Sequence, residues 1–181
     1  MTISMNMARN KTPLRVGRKK SSPPASRLTD LHNLPGHLIR RCTQIAISIF
    51  VEECGAYDLT PPQYSVLAML RQRPGLDQAT LASLTAIDRS TAGNVLRRLE
   101  ARGHVARKPG NQDRRTKTLC LTQAGVRLLE SVSEAIDRAQ RRILAPLDAS
   151  ERIEFLRLLS KLVEINNQFS RAPLHPQKRS E

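Results

Sequence analysis

The chain has no tryptophan, and aromatic residues make up only 3% of its 181 positions. Whatever core it builds is therefore aliphatic, which suits packed helices. No stretch reaches the roughly 18 consecutive apolar residues of a membrane helix. The N-terminus lacks a charged segment followed by an apolar one, so a secretory signal is not expected. Three cysteines (Cys42, Cys54 and Cys120) form an odd set without a C-x-x-C pair. That excludes a disulfide framework and makes a reducing cytoplasm the expected compartment. His32, His37, His104 and His175 are scattered, with no ligand spacing to Cys, Asp or Glu, so neither a metal nor a cofactor is expected. The phosphate-cradling glycine loops, the H-E-x-x-H zinc pattern and the G-x-S-x-G elbow are all missing. With no base positioned by a third group, an enzyme is not the expectation.

Acidic residues are also scarce. Sixteen Asp and Glu face thirty Lys and Arg, for a net charge of +14. A surplus of that size points to a polyanionic partner. Half of it, seven residues from Arg9 to Arg27, lies in a Pro- and Ser-rich stretch of 29 residues that has no acid. Such a composition predicts disorder over residues 1–29. The tail either trails along DNA or has no role.

Against this background, Leu76 to Thr122 is organised. Asp77 is a good N-cap, and Leu81, Ala82 and Leu84 mark a short amphipathic helix. Thr85 to Ile87 make a turn. Asp88 caps a second helix, Arg89 to Arg102, with Ala92, Val95, Leu96 and Leu99 on its buried face and Gly103 as its left-handed stop. Its exposed start carries Arg89, Ser90, Thr91, Gly93 and Asn94, small or hydrogen-bonding groups suited to base edges and phosphates in a major groove. Gly93 weakens the helix by about 1 kcal/mol relative to Ala. Close approach to a partner and close helix packing are both adequate reasons. Two β-tolerant runs around a Pro-Gly-Asn turn then predict a hairpin studded with Arg107, Lys108, Arg114, Arg115 and Lys117.

The flanks are helical. Leu34 to Ala56 is apolar nearly all round, which predicts burial on several sides. Thr60, Pro61 and Gln63 open the next helix with a capping box. Thr122 caps a long helix striped by Val126, Leu129, Val132, Ile136, Ala139 and Ile143. After Pro146, Asp148 and Glu151 cap a last one with Phe155, Leu158, Leu159, Leu162, Ile165 and Phe169 turned inward. Cys42 and Cys120 are expected to be buried as small hydrophobes, whereas Cys54, near a helix end, is expected to be accessible.

From Leu34 to Phe169 the chain resembles the MarR family of winged-helix transcriptional regulators. The resemblance is carried by DRSTAGNVLRRLEARGHV (from Asp88), the D-x-R of Asp113 and Arg115, Leu121-Thr122 and LTPPQYSVL (from Leu59). It implies a mainly α fold with a small β-hairpin wing: residues 59–121 form the winged helix-turn-helix, 30–58 and 122–171 a helical dimerisation lobe, and 172–181 a tail. It implies a homodimer on a palindromic double-stranded operator. Ser90, Thr91 and Asn94 would read the major groove and Arg115 the minor groove, with Asp113 held to Arg98. Arg89, Arg107, Lys108, Arg114 and Lys117 would meet phosphates. Asn94 departs from the basic residue many members carry, and Asn favours adenine where Arg favours guanine. The resemblance also implies release by a small aromatic or anionic effector, with His37, Arg40, Arg41 and Tyr64 as candidate contacts. The alternative for Arg40 and Arg41 is solvent or phosphate, and for Tyr64 the core. Two further readings stand beside it: a redox-sensing regulator acting through Cys54, and a non-specific architectural nucleic-acid-binding protein.

Overall fold

Local capping decides where most of the helices begin. A computed structural model of the chain describes residues 30–109 and 117–174. The backbone divides into two units, 1–38 and 39–181. In the first, a 3-10 turn at Leu31–Asn33 leads into helix α1, Pro35–Cys54, which continues into the second unit. The Asn33 amide donates to the Asp30 carboxylate, and the rings of His32 and His37 meet edge to face with centroids 5.5 Å apart.

The second unit holds the rest of α1, then α2 (Pro61–Gln72), α3 (Gln78–Leu84) and α4 (Arg89–Ala101). Strands β1 (Val105–Pro109) and β2 (Lys117–Leu121) follow, then α5 (Gln123–Ile143) and α6 (Ala149–Ile165). The fold is thus mainly α with one antiparallel hairpin, as expected. Its register pairs Val105 with Leu121 and Pro109 with Lys117. Leu76, just before α3, bridges to the other edge of β2, with the Leu119 amide donating to the Leu76 carbonyl at 2.8 Å. This third, one-residue strand has no periodicity and was not expected.

The caps stand where the sequence places them. The Gln63 side chain accepts from the Thr60 amide at 2.9 Å, which is how a buried glutamine is satisfied. Thr122 accepts from the Gly125 amide, and Asp148 and Glu151 exchange a reciprocal pair. At the end of α4 the His104 amide reaches Leu99 O and the Gly103 amide reaches Glu100 O, with Gly103 at φ +71°. That is the paired-bond helix stop in which a left-handed residue is needed.

Asp77 accepts from the Ala79 and Thr80 amides at 2.8 and 3.0 Å and from the Thr80 hydroxyl at 2.6 Å. The Thr80 hydroxyl, then its amide, hold the Asp77 carboxyl below the ordinary carboxylate range. A depressed folded-state value means its stabilisation is present above the unfolded carboxyl pKa and lost as pH falls through the folded one. Asp77→Ala should therefore cost about 1 kcal/mol at pH 7 in urea unfolding. The gap to the parent protein should start to narrow as pH drops below about 4 and close once pH is below the depressed folded value; a gap that stays constant throughout that fall would show that Asp77 acts otherwise than through its ionised cap.

The core of this unit joins Phe50, Cys54, Val66, Leu67, Leu70, Leu81, Leu96, Leu99, Leu119, Val132 and Ile136. It sits under α4 and the wing, so the faces those elements leave outward are set rigidly. Arg138 and Arg142 on α5 reach back to α1, donating to Glu53 at 2.8 and 2.7 Å, and Arg142 also to Glu52 at 2.8 Å. The two guanidiniums, Arg142 foremost, hold the Glu53 carboxyl below its usual range.

Three expectations need correction. Cys54 is fully buried, and burial pushes its thiol up, because the last turn of α1 faces the core. An accessible thiolate at Cys54 is thereby overturned, and with it the redox alternative that rested on it. Cys42, expected to be buried, is exposed, and Cys120 is half-buried with its Sγ donating to Ala106 O at 3.6 Å. Finally, the apolar face of α6 does not turn inward within the chain: Leu158 is 45% exposed, and Phe169, in the 3-10 turn after the helix, is 77% exposed. On α1, Ile45 and Val51 are likewise exposed. Periodicity shows that a face avoids water and says nothing of what covers it.

Candidate nucleic-acid interface

Helix α4 divides by residue. Ala92, Val95, Leu96 and Leu99 are buried, while Arg89, Ser90, Thr91, Asn94, Arg97 and Arg98 are exposed. The exposed set forms one continuous row at helical spacing, presenting hydroxyls, an amide and guanidiniums. Asp88 caps the helix, accepting from the Thr91 amide at 3.0 Å. Bonds from Thr91 hold its carboxyl below the ordinary range. A charged cap keeps the first turn, where Ser90 and Thr91 sit, firmly helical.

Arg97, which sequence reasoning passed over, donates to the Asn94 side-chain oxygen. The bond ties two side chains of the exposed row together. The signal was available: positions i and i+3 on an exposed helical row touch. Gly93 is half-buried beside α3, and a Cβ built on it would lie 3.3 Å from Gln78 Nε2. Helix packing is thus a sufficient reason for this glycine.

In the wing, Lys108 and Lys117 are exposed, at the end of the hairpin where β1 stops and β2 starts. Arg107 is different. Its Nε donates to Glu100 Oε1 at 2.6 Å and its terminal nitrogen to Gln78 Oε1 at 3.2 Å. The side chain thus ties β1 to α3 and α4 at once. Arg102, just past the same end of α4, makes a second tie by donating to Asp58 O at 2.6 Å. Burial, then the Arg102 charge, lowers the neighbouring His104 pKa. Asp113, Arg114 and Arg115 lie outside the described residues, as do the tail at 1–29 and residues 175–181.

Of the four candidate effector contacts, Arg40 and Arg41 are exposed on α1 and His37 is half-buried. Tyr64 is half-buried with its ring centroid 6.3 Å from that of Phe50, and burial pushes its hydroxyl up. No helix among the described residues is long and apolar enough to cross a membrane.

Comparison with known proteins matches residues 59–117 to the model of the MarR family. The HTH-type transcriptional repressor NicR of Pseudomonas putida is 31% identical over 150 residues, covering 81% of this chain and 95% of that one. Among solved structures, Bordetella bronchiseptica BpsR, described as regulated in its DNA binding by 6-hydroxynicotinic acid, superposes with a TM-score of 0.69 at 31% identity. The match covers 72% of this chain and 93% of BpsR. The Mycobacterium tuberculosis protein Rv2887 in complex with DNA superposes with a TM-score of 0.58 at 32% identity, covering 71% and 97%.

Proposed function

Because the chain belongs to the MarR family of DNA-binding transcriptional regulators, we propose that it is a cytoplasmic, homodimeric, non-enzymatic repressor released from a palindromic operator by a small aromatic or anionic ligand. The observation that carries the reading is the exposed row on α4. Ser90, Thr91 and Asn94 stand free of the core, and Lys108 and Lys117 on the hairpin that follows α4 are exposed as well. In this reading the three side chains meet base edges, with Asn94 suited to adenine. Arg89, Lys108, Arg114 and Lys117 meet phosphates. Arg115 enters the minor groove, and Asp113 and Arg98 hold the wing. Arg107 braces the wing from behind, since Glu100 neutralises it.

The uncovered apolar stripes of α1 and α6 support a dimer, residues 30–58 and 122–171 being its lobe. Two α4 helices related by a two-fold axis require half-sites about 10 base pairs apart. The ligand class is supported by the hydroxylated pyridine acid in the BpsR description. Arg40 or Arg41 would pair its carboxylate, and His37 or Tyr64 a ring substituent. Release works through differential affinity for two dimer states, one with its recognition helices misspaced for the operator.

Footprinting on the DNA upstream of its own gene, followed by titration of the protected duplex, tests the reading. Affinity should fall steeply with salt and exceed that for a random duplex by ~10³-fold or more. Arg115→Ala should cost about 1–3 kcal/mol on the protected duplex; unchanged affinity removes Arg115 from the interface. Equal affinity for both duplexes would favour the architectural alternative.

A further inference from the structure

The residues after α6 return to the helix-turn-helix. Asn167 clamps Leu174 with two hydrogen bonds, its amide donating to Leu174 O at 2.6 Å and its oxygen accepting from Leu174 N at 2.8 Å. Next to that clamp, Ser83 on α3 donates to Pro173 O at 3.2 Å. The chain between Arg171 and Pro173 is thus held as a strap against α3 and the start of α4. Under it lies a cleft of about 560 Å³. That size falls in the range of small-molecule sites. It is separate from α1 and α2, where the effector contacts proposed above reside.

Its walls are mixed. Ala79, Ala82, Leu84, Ile87 and Pro173 line it with apolar surface, Thr80 and Ser83 add hydroxyls, and Arg89 and Arg171 complete the lining. Among the described residues neither arginine has an ion-pair partner. The one lining carboxylate, Asp88, is already engaged as the cap of α4. A slot more apolar than polar, with hydroxyls on its wall and an excess of positive charge, selects a ligand with an apolar body and a single anionic end. We infer that the cleft between α3 and the C-terminal strap is a binding site for an amphipathic monocarboxylate, whose carboxylate pairs with Arg171 and Arg89. The site's existence is independent of any DNA reading. Its consequence rests on the repressor reading: a carboxylate on Arg89 takes a charge that the operator phosphates would use, so ligand and operator compete.

The test titrates 2-naphthoate into the full-length protein by calorimetry, with 2-naphthol as the neutral counterpart. Saturable binding of one naphthoate per chain is expected, with 2-naphthol at least about tenfold weaker, the worth of a lost charge-assisted bond. R171Q should weaken naphthoate by about tenfold. A79F should abolish binding by filling the slot, and N167A should weaken it by freeing the strap. R171Q changes an exposed side chain and leaves the core untouched, so it decides the matter should either of the others fail to fold. No binding at millimolar naphthoate, equal binding of naphthol, or affinity unmoved by R171Q overturns the site. Saturating naphthoate should weaken binding to the footprinted duplex by at least about tenfold in the parent protein and far less in R171Q. Naphthoate binding with unchanged operator affinity overturns the competition. Lack of operator preference without naphthoate is the separate failure of the repressor reading, and the calorimetry then stands alone.

Discussion

Replacing Leu159 and Leu162 together by aspartate should turn the protein into a monomer and weaken operator binding by about 10²- to 10⁴-fold. Both lie on the face of α6 that this chain leaves in water, at 39% and 52% exposure. Phe155, Leu158 and Ile165 continue that face, and Ile39, Ile45 and Val51 expose a second one on α1. Contiguous apolar surface on this scale is unusual on a soluble monomer and marks a contact surface. The chain's own core does not use it, since α6 contributes no buried residue. The variant should therefore keep its helical circular dichroism and its unfolding midpoint for the winged-helix unit. In the proposed dimer it loses the tether between two recognition helices, and linkage of two binding modules raises avidity by about 10²–10⁴ without any new contact. Sedimentation should report one chain per particle, and affinity for a duplex carrying a single half-site should be unchanged. A variant that stays dimeric and holds the full operator as tightly as its parent would place the interface elsewhere.

Gly125→Ala should destabilise the fold by about 3 kcal/mol, the upper part of the range for overpacking. In an open helix the same exchange gains about 1 kcal/mol of propensity, so even the sign separates this site from an ordinary one. A Cβ on Gly125 would lie 2.2 Å from the His104 carbonyl oxygen and 3.1 Å from its carbon. Neither atom is free to withdraw. The same carbonyl accepts from the Thr122 amide at 3.0 Å, and the Thr122 hydroxyl donates to Gly103 O at 2.6 Å. The first turn of α5 is thus sewn to the loop between α4 and β1, and the added methyl must pull that seam apart. Urea unfolding should show a lower midpoint with an unchanged slope. A stability equal to the parent's would mean the seam yields freely.

Gly93→Ala is the companion. Here the neighbour is the flexible end of Gln78, 3.3 Å away. The helix should gain up to about 1 kcal/mol, less what Gln78 gives up in moving. Operator affinity measured alongside decides between the two reasons for this glycine. A stabler protein with weakened DNA binding means the bare backbone approaches the duplex; unchanged binding leaves packing as the whole explanation.

The elements that the chain announces in advance are those whose physics is local. Asp77, Thr122 and the Asp148–Glu151 pair satisfy amides two or three residues away, and Gly103 supplies the backbone angle that its own helix stop requires. The division of α4 into a buried and an exposed row follows from 3.6-residue periodicity. Asn94 and its neighbours were therefore legible as an outward surface before any coordinates. Tertiary structure decided everything that depends on what lies opposite. Arg107 reads as one more basic wing residue until Glu100 and Gln78 come within reach across two other elements. Cys54 and Cys42 share one helix, and only the packing of its two faces decided which is sealed. Leu76 joins β2 through a single bridge, and Gly125 is required by a carbonyl far along the chain from it; neither leaves a periodic trace. Periodicity shows which side chains leave water together. What receives them is settled by contacts between segments distant in sequence, and by geometry that exists only once they have met.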